Sequence, residues 1–362
     1  FQAVRKEHPF FEVCRTPSLA MTVTVQPIDR FPELDASIIF SDILVIPQAL
    51  GFEVQMLEGK GPSFPNPLRT LEDIQRIDTS VPVDEALGYV YDAIAVTRHE
   101  LKGRVPLIGF CGGPWTLFAY MVDGGGSRTF QHSKSFLYQH PEAAKGVLQT
   151  ITDACVQFLI GQAKAGAQML QVFESNAGEL PPALFREFAL PYLAQIASRV
   201  KKALREAGIK SEITQARTAD GSIVENDDMC ITCFARAAPY AIPWLSALEY
   251  DTLSLDWAVI PETARQLSEN PIVVPEIEQY AKPNVGQGSA RTVTLQGNLD
   301  PCALYAPAEE LSRRAKAMVH AFGINGYIAN LGHGMMPTHP PEGVRVFATS
   351  VHEASDEIKS RL

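Results

Sequence analysis

A carboxylate stands inside an apolar run. In "SIIFSDILVIPQALG" (37–51), Asp42 follows Ile38, Ile39 and Phe40 and precedes Ile43, Leu44, Val45 and Ile46. Desolvating such a group is unfavourable unless a cation or a hydrogen-bond donor meets it. Two roles fit: a structural acceptor for backbone N–H groups, or an anion held ready for a ligand that brings its own donors. Ser175 closes a second apolar run in "LQVFESNAG" (170–178); the G-x-S-x-G elbow of a nucleophilic serine is absent, which leaves hydrogen bonding as its chemistry. His333 lies between two glycines in "NLGHGMMPTHPPE" (330–342), where backbone can approach a ligand closely. In "GFCGGPWTLFAYMVDGGGS" (109–127), Pro114 opens a helix that carries Tyr120. The DGGGS that follows has no GK[ST] beside it and reads as a hinge, not a phosphate cradle. "CITC" (230–233) is a lone C-x-x-C. With no second pair or suitably spaced His, and with strand alternation sending the two thiols to opposite faces, no zinc site is expected.

Such scattered residues need a scaffold that gathers them. Seven largely apolar runs read as strands covered on both faces: 37–42, 105–113, 167–175, 229–235, 252–257, 292–298 and 327–334. Helical periodicity fills 83–102, 142–165, 182–207 with a bend at Pro191, and 342–360. Repeated strand–helix units predict a parallel sheet. No G-x-G-x-x-G follows the first strand. Asp42, Ser175, Asp256, Asn298 and His333 instead fall at C-terminal strand ends, where a (β/α)8 barrel builds its site. The expected fold is α/β, a single TIM barrel over residues 1–362. Seven strands would leave two open edges, so an eighth strand with its loop is expected upstream of Phe1. Residues 210–229 and 268–290 read as surface insertions, because they are longer than a strand–helix connection requires.

Composition narrows the partners. The chain has 362 residues, 46% hydrophobic, with a net charge of −10. That balance argues against a nucleic-acid partner or an anionic membrane surface, which need a basic face; an anionic ligand would need local arginines. No apolar run approaches the ~18 residues of a membrane span. Six scattered cysteines suggest a reduced, cytoplasmic protein and not a disulfide scaffold. The chain opens at Phe1 without an initiator Met, so it carries no information about a signal peptide.

Six stretches together, "IIFSDILVIPQALG", "GKGPSFPNPLR", "GFCGGPWTLFAYMVDGGGS", "FESNAG", "TLQGNLDPCALYA" and "YIANLGHGMMP", resemble the uroporphyrinogen decarboxylase family. The likeness runs from Phe1 to about Glu353. It implies a (β/α)8 barrel, usually homodimeric, that converts the four acetate side chains of uroporphyrinogen to methyl groups without a cofactor or metal, giving coproporphyrinogen and four CO2. By the same likeness Asp42 matches the carboxylate that meets the pyrrole N–H groups, and Tyr120, Ser175 and His333 match other substrate contacts. Arg5 matches the last of a set of arginines that hold substrate carboxylates, and Phe40, Phe110 and Phe173 form apolar wall. The family signature "MRQAGRYLPE", source of two more such arginines, is expected just upstream of Phe1. The proton donor stays open between an arginine of that upstream segment and His333. "FARAAP" (234–239) departs from the glycine-containing turn expected there.

The chemistry agrees with that implication. Decarboxylation needs a place for two electrons as CO2 departs, and a pyrrole ring protonated on carbon provides it. A fixed carboxylate offers about four lone-pair sites to the four N–H donors and stabilises the cation where it forms. Two other readings remain. One is a barrel that binds tetrapyrrole without turning it over. The other is a zinc-dependent corrinoid methyltransferase on the same barrel, which typically uses His-x-Cys; none of the eight His here has Cys two residues later.

Overall fold

A computed structural model describes residues 1–57, 59–210, 215–217, 223–225, 228–283 and 293–361. Seven strands form one sheet: β1 (Ser37–Ile38), β2 (Leu107–Gly112), β3 (Met169–Glu174), β4 (Cys230–Ala235), β5 (Thr252–Ser254), β6 (Thr294–Leu299) and β7 (Tyr327–Leu331). Each pairs in parallel with the strand before it in the chain. Right-handed crossovers in an order that never reverses put every connecting helix on the same side of the sheet. The other face can be buried only by curling the sheet on itself. The chain thus adopts the α/β barrel class expected from its sequence.

Strands are shorter than the apolar runs that announce them, because the last residues of several runs leave the sheet to form the mouth. Asp42 lies four residues past β1, Ser175 directly after β3, and His333 two residues past β7. The helix expected over 182–207 is two, Pro182–Phe188 and Leu190–Glu206, broken at Ala189 (φ −126°, ψ −52°). Pro191 lacks an N–H and its ring opposes the carbonyl four residues back, so the helix restarts there instead of bending. The helix expected over 83–102 likewise divides at Leu87. Helix Pro141–Lys164 runs unbroken and buries Val147, Leu148, Ile151, Cys155, Phe158 and Leu159 against the barrel.

Among the described residues β1 and β7 do not pair with each other. Between their edges runs a cavity of about 800 Å³, walled by helix Pro17–Arg30 on one side and the start of helix Pro341–Lys359 on the other. At the opposite, N-terminal end of the barrel, Lys201 and Asp251 form an almost fully buried ion pair at 2.8 Å, and Asp251 also accepts from the Ile231 N–H.

Of the expected insertion 210–229, the described part includes a small antiparallel hairpin, 215–217 with 223–225; residues 211–214, 218–222 and 226–227 lie outside the described residues. Within 268–290, residues 284–290 lie outside them too. The described part is no loose excursion: Ile277 is fully buried, and Arg186 donates to both Glu276 carboxylate oxygens at 2.9 Å.

Candidate active site

Some polar groups at the strand ends are satisfied within the chain, and others are not. Asp256, 4% exposed, accepts from the backbone N–H groups of Ala237 (2.6 Å) and Ala258 (2.8 Å). Asn298 donates through its amide to the carbonyls of Asp256 and Val259, at 2.8 and 2.7 Å. Both hold loops together. Asp42 differs. Its Oδ1 accepts from Leu44 N–H at 3.1 Å, while its Oδ2 is buried with no hydrogen-bond partner, and Ser41 Oγ beside it is likewise buried and unpartnered. Burial raises the Asp42 carboxyl above the ordinary carboxylate range, opposed by the backbone N–H groups of Leu44 and Ile43. Its charge reaches three neighbours. Burial lifts the Tyr120 phenol and Asp42 lifts it further, while Arg236 pulls it down. The Cys14 thiol and the Tyr89 phenol are each pushed up to about 12, first by burial, with Asp42 adding to it.

The cavity between the β1 and β7 edges has a partly aromatic wall; Ser41 lines it, whereas its neighbour Asp42, Tyr120 and Ser175 do not. Phe40, Phe110, Phe173 and His333 all line the 800 Å³ cavity, a volume within the range of small-molecule sites. Phe110 meets Phe173 edge-on at 5.6 Å, Phe173 meets Phe234 at 6.2 Å, Phe234 meets His333 at 6.5 Å, and His333 also meets Trp257 at 5.9 Å. The order follows the strands: inward side chains of β2, β3 and β4 stack in sequence across the barrel. Phe40 packs on Phe1 and Phe10, at 5.2 and 6.0 Å.

The structure therefore gathers Phe40, Phe110, Phe173 and His333 about one space and places Tyr120 within electrostatic reach of Asp42. Ser175, half-buried at the end of β3, is joined through its carbonyl to Arg236 Nε at 2.7 Å. Arg5 is engaged locally: its Nη1 donates to the His8 carbonyl at 2.7 Å and its guanidinium lies over the Phe10 ring at 5.7 Å. It does not line the cavity, although its charge reaches Cys14, the thiol that Asp42 also faces.

Two residues escaped the sequence reading. Glu174, fully buried at the end of β3, accepts from Trp115 N–H (3.2 Å), Thr116 N–H (2.7 Å) and the Thr116 hydroxyl. It thereby caps the start of helix Pro114–Asp123, which carries Tyr120. Burial pushes its carboxyl up to about 7 against these same hydrogen bonds. A Cβ at Gly113 would collide with the Glu174 carboxylate, which is why glycine stands there. Its sequence signal was an acid closing an apolar strand opposite a Gly-Gly-Pro helix start. The second is Arg236, in the turn after β4. The turn, expected to contain a glycine, has none within 234–239, and Ala237 in it adopts a left-handed φ of +56°.

The model of the family described as "Uroporphyrinogen decarboxylase (URO-D)" matches residues 1–354. The chain belongs to the uroporphyrinogen decarboxylase family. It is 47% identical over 360 residues to the uroporphyrinogen decarboxylase of Salinibacter ruber, covering 99% of this chain and 89% of that protein. Against the Homo sapiens uroporphyrinogen decarboxylase it is 47% identical over 355 residues, covering 98% and 86%. A solved methyltransferase from Methanosarcina mazei shares the fold, with a TM-score of 0.69 at 17% identity over 97% of this chain and 90% of that one. Among the described residues no three or more His, Cys, Asp or Glu side chains come together as a metal-holding group.

Proposed function

We propose that this chain decarboxylates the four acetate side chains of uroporphyrinogen, giving coproporphyrinogen and four CO2, and that Asp42 is the centre of the site. The observation that carries the site assignment is the buried, unpartnered Asp42 Oδ2 just past β1, in contrast to Asp256, whose two oxygens accept from backbone N–H groups. A carboxylate accepts hydrogen bonds and donates none, so its missing partners must be donors. Four pyrrole N–H groups, turned inward in a folded macrocycle, supply them. Each round converts one CH2–COO⁻ arm and one proton into CH3 and CO2. A pyrrole ring protonated on carbon takes up the electron pair as the C–C bond breaks, and the fixed anion lowers the energy of that cation without solvent having to reorganise.

The flanking groups have compatible roles. Phe40, Phe110 and Phe173 offer apolar surface to the ring faces. Tyr120, kept protonated by burial beside Asp42, Ser175 and His333 offer hydrogen bonds to the side-chain carboxylates, and Arg5 adds positive charge near the N-terminus. The proposal extends to a single barrel domain over 1–362, a homodimer and a cytoplasmic location. These rest on the family likeness and the scattered cysteines. No described helix is long and apolar enough to cross a membrane.

The test is anaerobic incubation of the purified chain with uroporphyrinogen in the presence of EDTA, following both CO2 and porphyrinogen. Four CO2 per macrocycle with accumulation of coproporphyrinogen is expected. Tight binding without CO2 release favours the non-catalytic carrier, and activity lost to the chelator favours a metal-dependent reaction.

A further inference from the structure

We infer that Arg236 binds a carboxylate arm of the macrocycle, an inference that rests on the decarboxylase reading above. Arg236 stands in the turn after β4, and its backbone is fixed from both sides. Its N–H donates to the Glu174 carbonyl at 3.3 Å and its carbonyl accepts from Gly178 N–H at 2.9 Å. Its side chain is fixed as well, through Nε on the Ser175 carbonyl at 2.7 Å. That bond uses one edge of the guanidinium and leaves the two terminal nitrogens, the fork that grips carboxylates in pairs. Among the described residues no Asp or Glu forms a salt bridge with Arg236, whereas Arg186, Arg199 and Arg205 each have an acidic partner. The residue is half-buried, and its charge reaches the Tyr120 phenol.

A half-buried cation, tethered to the Ser175 carbonyl, acting electrostatically on Tyr120 and in no salt bridge with an acid among the described residues, is suited to an anionic ligand. The substrate class supplies one: uroporphyrinogen carries eight carboxylates into a chain whose net charge is −10. Local cations must overcome that field. Arg236 enters from the β3–β4 side of the mouth, away from the N-terminal segment that carries Arg5. The two cations would hold arms on different parts of the ring.

The experiment compares wild type, Arg236→Gln and Arg236→Lys in anaerobic turnover of uroporphyrinogen at several ionic strengths, together with binding of coproporphyrinogen. Expected for Arg236→Gln is a KM increase of about 10- to 100-fold, the range for losing a charged hydrogen bond, with kcat within a few-fold. Its kcat/KM should also depend less on salt than wild type. Arg236→Lys should recover part of the KM, since it keeps charge without the fork. Weakened coproporphyrinogen binding would assign the arm as a propionate; an effect confined to uroporphyrinogen would assign it as an acetate. An unchanged KM, or a fall in kcat alone, overturns the inference and reduces Arg236 to a tether for Ser175. Failure of wild type to release CO2 would instead overturn the decarboxylase reading itself, so the two failures are distinguishable.

Discussion

Replacing Asp42 by Asn should weaken the enzyme and strengthen the fold at the same time. The amide keeps an oxygen for the 3.1 Å bond from Leu44 N–H, so the turn after β1 survives. What is removed is a buried charge whose second oxygen has no partner. The amide Nδ2 that takes the place of Oδ2 is itself buried and unpartnered, so the gain is the difference between leaving a charged and a neutral group unsatisfied, about 1–3 kcal/mol. With an unfolding entropy of roughly 2.1 cal/mol/K per residue over a chain of this size, that corresponds to a Tm increase of about 1–4 °C. Loss of a preorganised electrostatic group should lower kcat by on the order of 10²–10³. The pH dependence has a definite sign. Burial raises the Asp42 carboxyl in the native state, so the folded protein holds a proton that the unfolded chain has already released. The stability contributed by that protonated state is present below the ordinary carboxylate pKa of about 3.9 and is lost as pH rises through the raised native value. The Tm advantage of Asp42→Asn should therefore be small in acid and grow with pH across that window. Differential scanning calorimetry at several pH values, paired with CO2-release kinetics, reads both effects. A variant that loses stability together with activity would refute this reasoning and make Asp42 a structural turn residue.

Glu174→Gln should destabilise the fold by about 1–3 kcal/mol, because an amide N–H2 would face the N–H groups of Trp115 or Thr116; urea unfolding measures the loss. It should also lower kcat by displacing the helix of Tyr120 relative to Ser175. Lys201→Ala, at the far end of the barrel, removes one half of a buried ion pair with Asp251 and should cost up to about 3–5 kcal/mol. In this variant kcat per folded molecule should be unchanged below its unfolding temperature.

Much of the fold was legible because a doubly covered strand must be apolar throughout, and seven such runs alternate with helical spacing. Strand ends were less legible. The apolar run through Ile39 and Phe40 continues past the last paired residue, Ile38, because mouth residues pack on aromatic neighbours as tightly as strand residues do. The break at Ala189 shows the same limit: Pro191 signals an interruption, and only backbone angles decide between a bend and two helices. Within the site, Asp42 announced itself as an acid among apolar neighbours. Its difference from Asp256 did not, since both close apolar runs and only the hydrogen bonds separate them. Glu174 and Arg236 were hidden for related reasons. The partners of Glu174 lie on a helix about 60 positions earlier, and Arg236 acquires its place only when the turns after β3 and β4 meet. Arg5 was named from its match to family arginines, while its contacts here are to His8 and Phe10.

The decisive measurement is a crystal structure of the chain with coproporphyrinogen bound under anaerobic conditions. The account predicts the macrocycle seated against Phe110 and Phe173, its four pyrrole nitrogens turned toward the Asp42 carboxylate at roughly 2.7–3.2 Å. A ring bound elsewhere, or one whose nitrogens face solvent while Asp42 Oδ2 stays unpartnered, would contradict it.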